Sequence, residues 1–305
     1  MALRVGVSGY RYEHVEGWGE FPRGGVVSDV ATDSDDRVYA CVRLKQGPDG
    51  NEGEMWVFDR DGKLLDRWGH DIFTVPHGLF IHDDVLYHAD AGDHTVRSFT
   101  PDGETLMVLG TPGQQGPEDE PFRSPTNATI AASGDLYVSD GYEQNRCHCF
   151  SPAGELKWSW GRGDAVYYQM AAQGEMTGVV GDGPGEFNLP HGIVTDSSGL
   201  VYVMDRENGR VQVFTAEGEY TTEWNDVPGG NDAVVDGDGV MHIATGHGPI
   251  ILKSLDGETV GVWGERGEDA GRFSGYPHGI WIDSQGDVYI AQVGEQLALD
   301  KFARV

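Results

Sequence analysis

Three histidines share one local setting in this chain. His77 lies in VPHGLFIH, His191 in LPHGIVTD and His278 in YPHGIWID, each after a proline, before a glycine, and at the start of an apolar run. Imidazole nitrogen is a good ligand for Zn²⁺ and for Fe²⁺, Cu²⁺ or Ni²⁺, and three such ligands with open positions make the arrangement expected of a catalytic zinc. That chemistry requires three rings at one point, although the residues are far apart in sequence. The elements that carry them must therefore supply the convergence.

The chain repeats itself. A unit runs through Gly-x-Phe-x-x-Pro, a short apolar strand, a Gly or Asp turn, a second strand, an Asp-containing turn, a third strand ending in an aromatic, a Gly turn, and a fourth strand ending in Trp-Gly. The second strands read RVYACV, VLYHA, DLYVS, LVYVM, VMHIA and DVYIA, and PDGE, PAGE, AEGE and LDGE join third strands to fourth. Their apolar residues alternate as half-buried strands require. Units begin near Ser28, His77, Thr126, His191, Asn231 and His278. The spacing of about 40–50 residues, with one longer gap, is that of propeller blades. Helix-period patterns are nearly absent. The reading is all-β: one six-bladed β-propeller domain over residues 1–305. The sixth unit, from about Gly275, has room for only three strands. The segment YRYEHVEGWGEFPRG from Tyr10, with its Trp18-Gly19 ending, is expected to supply the fourth and so close the last blade.

Aligned on their second strands, the units place histidine in blades two, four and six and a small polar residue (Ser28, Thr126, Asn231) in blades one, three and five. The first strand of a blade is innermost, and alternate blades of six are about 120° apart. Three imidazoles at one level then converge on the axis. Residues just after the second strand should lie beside them, because strands one and two are antiparallel. Arg43, Tyr142 and Arg206 stand there. Two guanidinium groups offer forks for a carboxylate, so an anionic small molecule is the expected substrate, and Tyr142 is placed to act as a base. Arg146 and Arg210, which recur at another repeat position, are read as hairpin caps.

The segment GPGEFNLPHGIVTDSSGLVYVMDRENGRVQVF resembles the NHL repeat. FRSPTNATIAASGDLYVSDGYEQNR, WSWGRG and MDRENGR further resemble the peptidylglycine amidating lyase family, from about Val30 to the last blade. The resemblance implies zinc on His77, His191 and His278, Tyr142 and Arg43 as catalytic residues, Arg206 beside them, and cleavage of an N-acyl-α-hydroxyglycine to an amide and glyoxylate. It also implies a structural Ca²⁺ held by backbone at Val30 and Leu79 and by an aspartate. Here Gly279 stands in the aspartate's place, which removes that ligand. Tyr276 replaces the family's methionine in the pocket wall, so the acyl or ureido part of the substrate is expected to differ. From the residues alone, another zinc-dependent hydration or hydrolysis of a small amide or lactone stays open, as does a non-catalytic NHL scaffold.

The bulk properties exclude other classes. The net charge of −29 opposes nucleic-acid binding, which needs lysine and arginine on phosphate. No run reaches the roughly 18 apolar residues of a membrane span, and no secretory leader is visible. Three cysteines do not make a disulfide framework, so a reducing, cytoplasmic setting is expected. Cys147 and Cys149, around His148, read as strand packing rather than metal ligands. The insertion from Gly161 is a candidate for shaping the pocket, and Asn127 heads an Asn-Ala-Thr sequon at a strand start.

Overall fold

A computed structural model describes residues 4–19, 21, 26–45, 52–117, 120–162, 166–167, 176–177, 181–267, 272–294 and 298–305. The protein is a six-bladed β-propeller. Blade one comprises Val26–Thr32, Val38–Lys45, Glu52–Phe58 and Leu64–Trp68. Blade two comprises Pro76–His82, Val85–Asp90, Thr95–Phe99 and Thr105–Gly110, and blade three Pro125–Ile130, Leu136–Asp140, Arg146–Phe150 and Leu156–Trp160. Blade four has Pro190–Thr195, Val201–Asp205, Arg210–Phe214 and Tyr220–Trp224, and blade five Gly230–Val235, Val240–Thr245, Ile250–Ser254 and Thr259–Trp263. Every expected first strand is present. Among the described residues the only helical piece is the 3-10 turn Arg206–Asn208, and no helix is long and apolar enough to cross a membrane. Residues 1–84 with 231–305 form one compact unit and 85–230 another.

The turns between first and second strands show why the sequence folds locally as it does. In blade four, Asp196 accepts the backbone N–H groups of Ser198 and Leu200 and, at 2.8 Å, the hydroxyl of Tyr202 from the second strand. Asp33 with Tyr39, Asp236 with His242 and Asp283 with Tyr289 repeat the arrangement. Each carboxylate folds the turn and ties it to the strand that leaves it. Apolar side chains on the alternate positions fill the cores. One cluster packs Tyr12, Ile250, Trp263, Ile290 and Phe302; another packs Val30, Trp56, Phe58, Tyr289 and Trp18. In the other unit, Cys147 and Cys149 lie fully buried with Tyr137, Trp160 and Phe214, on one face of their strand, as packing residues. Burial pushes the Cys149 thiol up to about 11.

The last blade takes its fourth strand from the N-terminal segment: Tyr10–His14 pairs antiparallel with Ala298–Arg304. Two details differ from expectation. The strand ends at His14, because Gly17 and Gly19 at φ 73° and 82° turn the chain, and Trp18 is buried from that turn against Phe58 and Tyr289. A fifth strand, Arg4–Val7, adds outside it, with Val7 packed where Gly261 leaves room. The insertion from Gly161 contains the short pair Val166–Tyr167 and Met176–Thr177. Residues 163–165, 168–175 and 178–180 of the stretch that would shape a pocket lie outside the described residues. Asn127 is buried, its side-chain oxygen taken up by the Ala128 N–H, so it does not present a sequon at the surface.

Candidate metal centre and its surroundings

The first strands are not regular where they carry the key residues. In blade one the pairing passes from Val27↔Val42 to Asp29↔Cys41, leaving Ser28 as an extra residue. The same bulge occurs at Thr126 in blade three, at His191-Gly192 in blade four and at His278 in blade six. A bulge inserts one residue on one strand and re-aims its side chain. The repeat thus places a bulge at the position where the sequence alternates histidine with a small polar residue.

His77, His191 and His278 are 1%, 2% and 6% exposed, and their candidate ligand nitrogens all lie within 4.8 Å of one another. The group could hold a metal ion. The rings of His77 and His278 meet edge to face at 4.7 Å. His278 Nδ1 lies 2.6 Å from the carbonyl oxygen of Ser28 and donates to it in the tautomer that leaves Nε2 for a ligand. The donor set, three buried nitrogens with one ring already oriented from behind, fits a borderline ion such as Zn²⁺.

Tyr142 follows the second strand of blade three. Gly141 lets it approach, since a Cβ there would run into the Pro190 carbonyl. The Tyr142 hydroxyl lies 3.0 Å from His191 Nε2, and the Arg206 guanidinium lies over its ring at 5.8 Å. Burial works against the charge of Arg206. Tyr142 and Glu207, the latter at 2.8 Å, outweigh that and raise the guanidinium above its usual range. The backbone before His191 is strained: Leu189 has φ 65°, a left-handed conformation costing a branched residue of order 1–3 kcal/mol. It is held from both sides, its N–H by Asn145 Oδ1 at 2.8 Å and its carbonyl by the Arg206 N–H at 3.2 Å.

Arg43 was expected just after the second strand. It lies within Val38–Lys45, because the first strand starts as early as Val26, which pairs with it, and the third as early as Glu52, which pairs past it with Lys45. It is buried, and its Nε donates to the Pro76 carbonyl at 2.7 Å, one residue before His77. Tyr276 is 45% exposed and carries the Arg266 guanidinium on its ring at 3.8 Å, a partner not foreseen. Arg210 is a structural cap, bonded to Asp205, Glu223 and the carbonyls of Asp182, Gly183 and Glu186. Arg146 likewise holds the Gly161 carbonyl.

At Val30 and Leu79 a different arrangement replaces the missing aspartate. Asp29 Oδ1 accepts the Val30 N–H at 2.8 Å and Oδ2 the Leu79 N–H at 2.6 Å. Any Cβ at Gly279 would collide with this carboxylate. An acid from blade one therefore occupies the space that a side chain at 279 would fill. Burial, then the neighbouring Asp232 carboxylate, push the Asp29 carboxyl well above the usual range. Sequence reasoning missed Asp29. Its signal was the second alternation, with Asp29, Asn127 and Asp232 in the odd blades and Gly78, Gly192 and Gly279 in the even ones.

Residues 187–214 match the family model of the NHL repeat. Human NHL repeat-containing protein 3 is 32% identical over 224 residues, 68% of this chain and 58% of that protein. The Drosophila melanogaster peptidyl-alpha-hydroxyglycine alpha-amidating lyase 1 is 31% identical over 172 residues, 54% of this chain and 30% of that one. The chain thus spans little more than half of the first relative and less of the second. Among solved structures, a gluconolactonase from Xanthomonas campestris superposes with a TM-score of 0.63 at 13% identity, over 100% of this chain and 95% of that one, a likeness of fold alone. The chain is an NHL-repeat β-propeller related, at about 30% identity, to the peptidyl-α-hydroxyglycine amidating lyases.

Proposed function

We propose that this protein is a zinc-dependent lyase that splits an N-acyl- or ureido-α-hydroxyglycine into an amide and glyoxylate. The observation that carries the reading is the Tyr142 hydroxyl set 3.0 Å from a nitrogen of the three-histidine group, with Arg206 over its ring. The homology to amidating lyases and the three-histidine group support it.

His77, His191 and His278 would hold the ion, which would supply Lewis-acid polarisation of substrate oxygens. Arg206 and Arg43 bind and orient the anionic substrate's carboxylate and offset the charge that develops as the bond breaks. Tyr142, acting as the phenolate, takes the proton from the carbinol hydroxyl and becomes the phenol. The O–H electron pair becomes the second bond of the aldehyde, the C–N bond breaks, and the amide nitrogen receives a proton, so that atoms and charge balance. The low exposure of Tyr142 and the histidines keeps water from competing for that proton. In this reading Tyr276, which carries the Arg266 guanidinium on its ring, bears on the acyl group. Cys41, Cys147 and Cys149 are buried thiols, which accords with a reducing, cytoplasmic location.

The test is glyoxylate release from α-hydroxyhippurate and related N-acyl-α-hydroxyglycines, with zinc content measured on the same samples. Wild type should hold about one equivalent of zinc and release glyoxylate; His191→Ala should lose both. Zinc without glyoxylate from any such substrate would point instead to a hydrolytic reaction, and no zinc in wild type would remove the enzyme reading.

A further inference from the structure

We infer that the polar residues interleaved with the histidines, Ser28, Thr126 and Asn231, with Asp29 and Asp232 beside two of them, are positioning residues that set the metal-binding geometry. Ser28 Oγ donates to the Pro76 carbonyl at 2.7 Å, Thr126 Oγ1 to the Pro190 carbonyl at 3.0 Å, and Asn231 Nδ2 to the Pro277 carbonyl at 2.8 Å. In each case the acceptor belongs to the residue immediately before a histidine of the next blade. Three different side chains thus hold the same carbonyl, and all three are at most 4% exposed.

The neighbouring acids hold the other side. Asp29 Oδ2 accepts the Leu79 N–H at 2.6 Å and Asp232 Oδ2 the Ile280 N–H at 3.1 Å, each two residues beyond a histidine. A peptide unit is planar, so fixing its carbonyl or its N–H fixes the whole plane. The plane that enters His77 or His278 is therefore clamped at the preceding proline's carbonyl, and the plane of Gly78–Leu79 or Gly279–Ile280 is clamped one peptide further on. At His191 the carbonyl of the histidine itself is held by Ser139 Oγ at 2.9 Å. The ties form a relay: Asn231 holds Pro277, His278 donates to the Ser28 carbonyl, and Ser28 Oγ holds Pro76.

A bulge alone leaves its extra residue loosely directed; these bonds remove that freedom. Outer groups that orient ligating histidines typically change metal affinity by about 10–100-fold when removed. The bland alternative is that the side chains merely satisfy buried carbonyls, as any buried acceptor requires. The two differ in what they predict for the metal.

The inference rests on the metal reading above, and the experiment separates the two. Zn²⁺ affinity is measured by chelator competition on the full chain for wild type, Ser28→Ala, Asn231→Ala and the shape-preserving Thr126→Val, with Thr126→Ser as the conservative rescue. The absorption of the Co²⁺-loaded proteins and the thermal midpoint of the metal-free proteins are recorded alongside. We expect each loss-of-donor variant to bind zinc about 10–100-fold more weakly and to show an altered Co²⁺ spectrum. Metal-free midpoints should shift by no more than about 4 °C, and Thr126→Ser should behave as wild type. Lower midpoints with wild-type zinc affinity and spectra would overturn the inference and leave the metal site standing. Failure of wild type to bind either ion would overturn both.

Discussion

The Tyr142 hydroxyl contacts a ring nitrogen of His191, a member of the three-histidine group, so its chemical role must be separated from its structural one. Tyr142→Phe keeps the ring under Arg206 and removes only the oxygen. If that oxygen, as phenolate, takes the substrate's proton, kcat should fall by about 10²–10⁴ while zinc content stays at the wild-type level. A variant that keeps its kcat would strip Tyr142 of that task. The residues of the site differ in how far the sequence revealed them. His77, His191 and His278 were legible because alternation around six units converts repeat position into direction. Ser28, Thr126 and Asn231 were visible as a polar alternation, yet their job was not, since it depends on which carbonyl the next blade presents. Asp29 was hidden for the same reason: an aspartate supplied from a different strand to the space beside Gly279 reads in one dimension as a loss at 279 and an unrelated acid at 29.

At the scale of the element, the hairpins were read from glycine and aspartate, and their closing contact from the second strand completes the account. Asp196 shows what that contact does. Burial alone would raise its carboxyl, but the hydroxyls of Ser198 and Tyr202 and the N–H groups of Leu200 and Ser198 hold it below the usual range. A carboxyl depressed in the folded state contributes stability that is complete above its unfolded value, about 3.9, and is lost as pH falls through the folded one. Tyr202→Phe removes one of the four bonds and should cost about 1 kcal/mol near neutral pH. In acid the difference should shrink, as the wild type also loses the ionised partner. Denaturant titrations of both proteins at pH 7 and pH 3 measure it; an equal difference at both would assign the effect to packing. The bulges were not legible, because one extra residue at a strand start leaves the alternation beyond it unchanged. The placement of Arg43 inside its strand followed from neighbouring strand lengths, which no local pattern near Arg43 encodes.

At the scale of the molecule, both ends of the chain meet in one sheet, and the sequence foretold this from the shortage of strands in the sixth unit. It did not foretell Arg4–Val7, whose four residues RVGV include no aromatic and stand outside the four-strand repeat unit. The closure is fastened by Val15 N–H to the Lys301 carbonyl, by Val305 N–H to the Arg11 carbonyl, and by His14 Nε2 to Asp300 Oδ1 at 3.0 Å. Of these only the last titrates near neutrality. The hydrogen bond to Asp300 raises the His14 pKa, partly opposed by burial. A histidine raised in the folded state contributes stability that is fully present below its unfolded value, about 6.5, and is lost as pH climbs through the folded one. The pair is only 15% and 25% exposed in its two side chains, so a contribution of about 0.5–1 kcal/mol is reasonable. His14→Gln keeps a donor toward Asp300 and discards the charge. Between pH 6 and pH 8.5 the wild type should therefore lose stability relative to His14→Gln, with the two curves converging at the alkaline end. Parallel curves would mean that the charge on His14 plays no part in holding the termini, and that the backbone bonds and the buried Tyr10 and Tyr12 carry the closure by themselves.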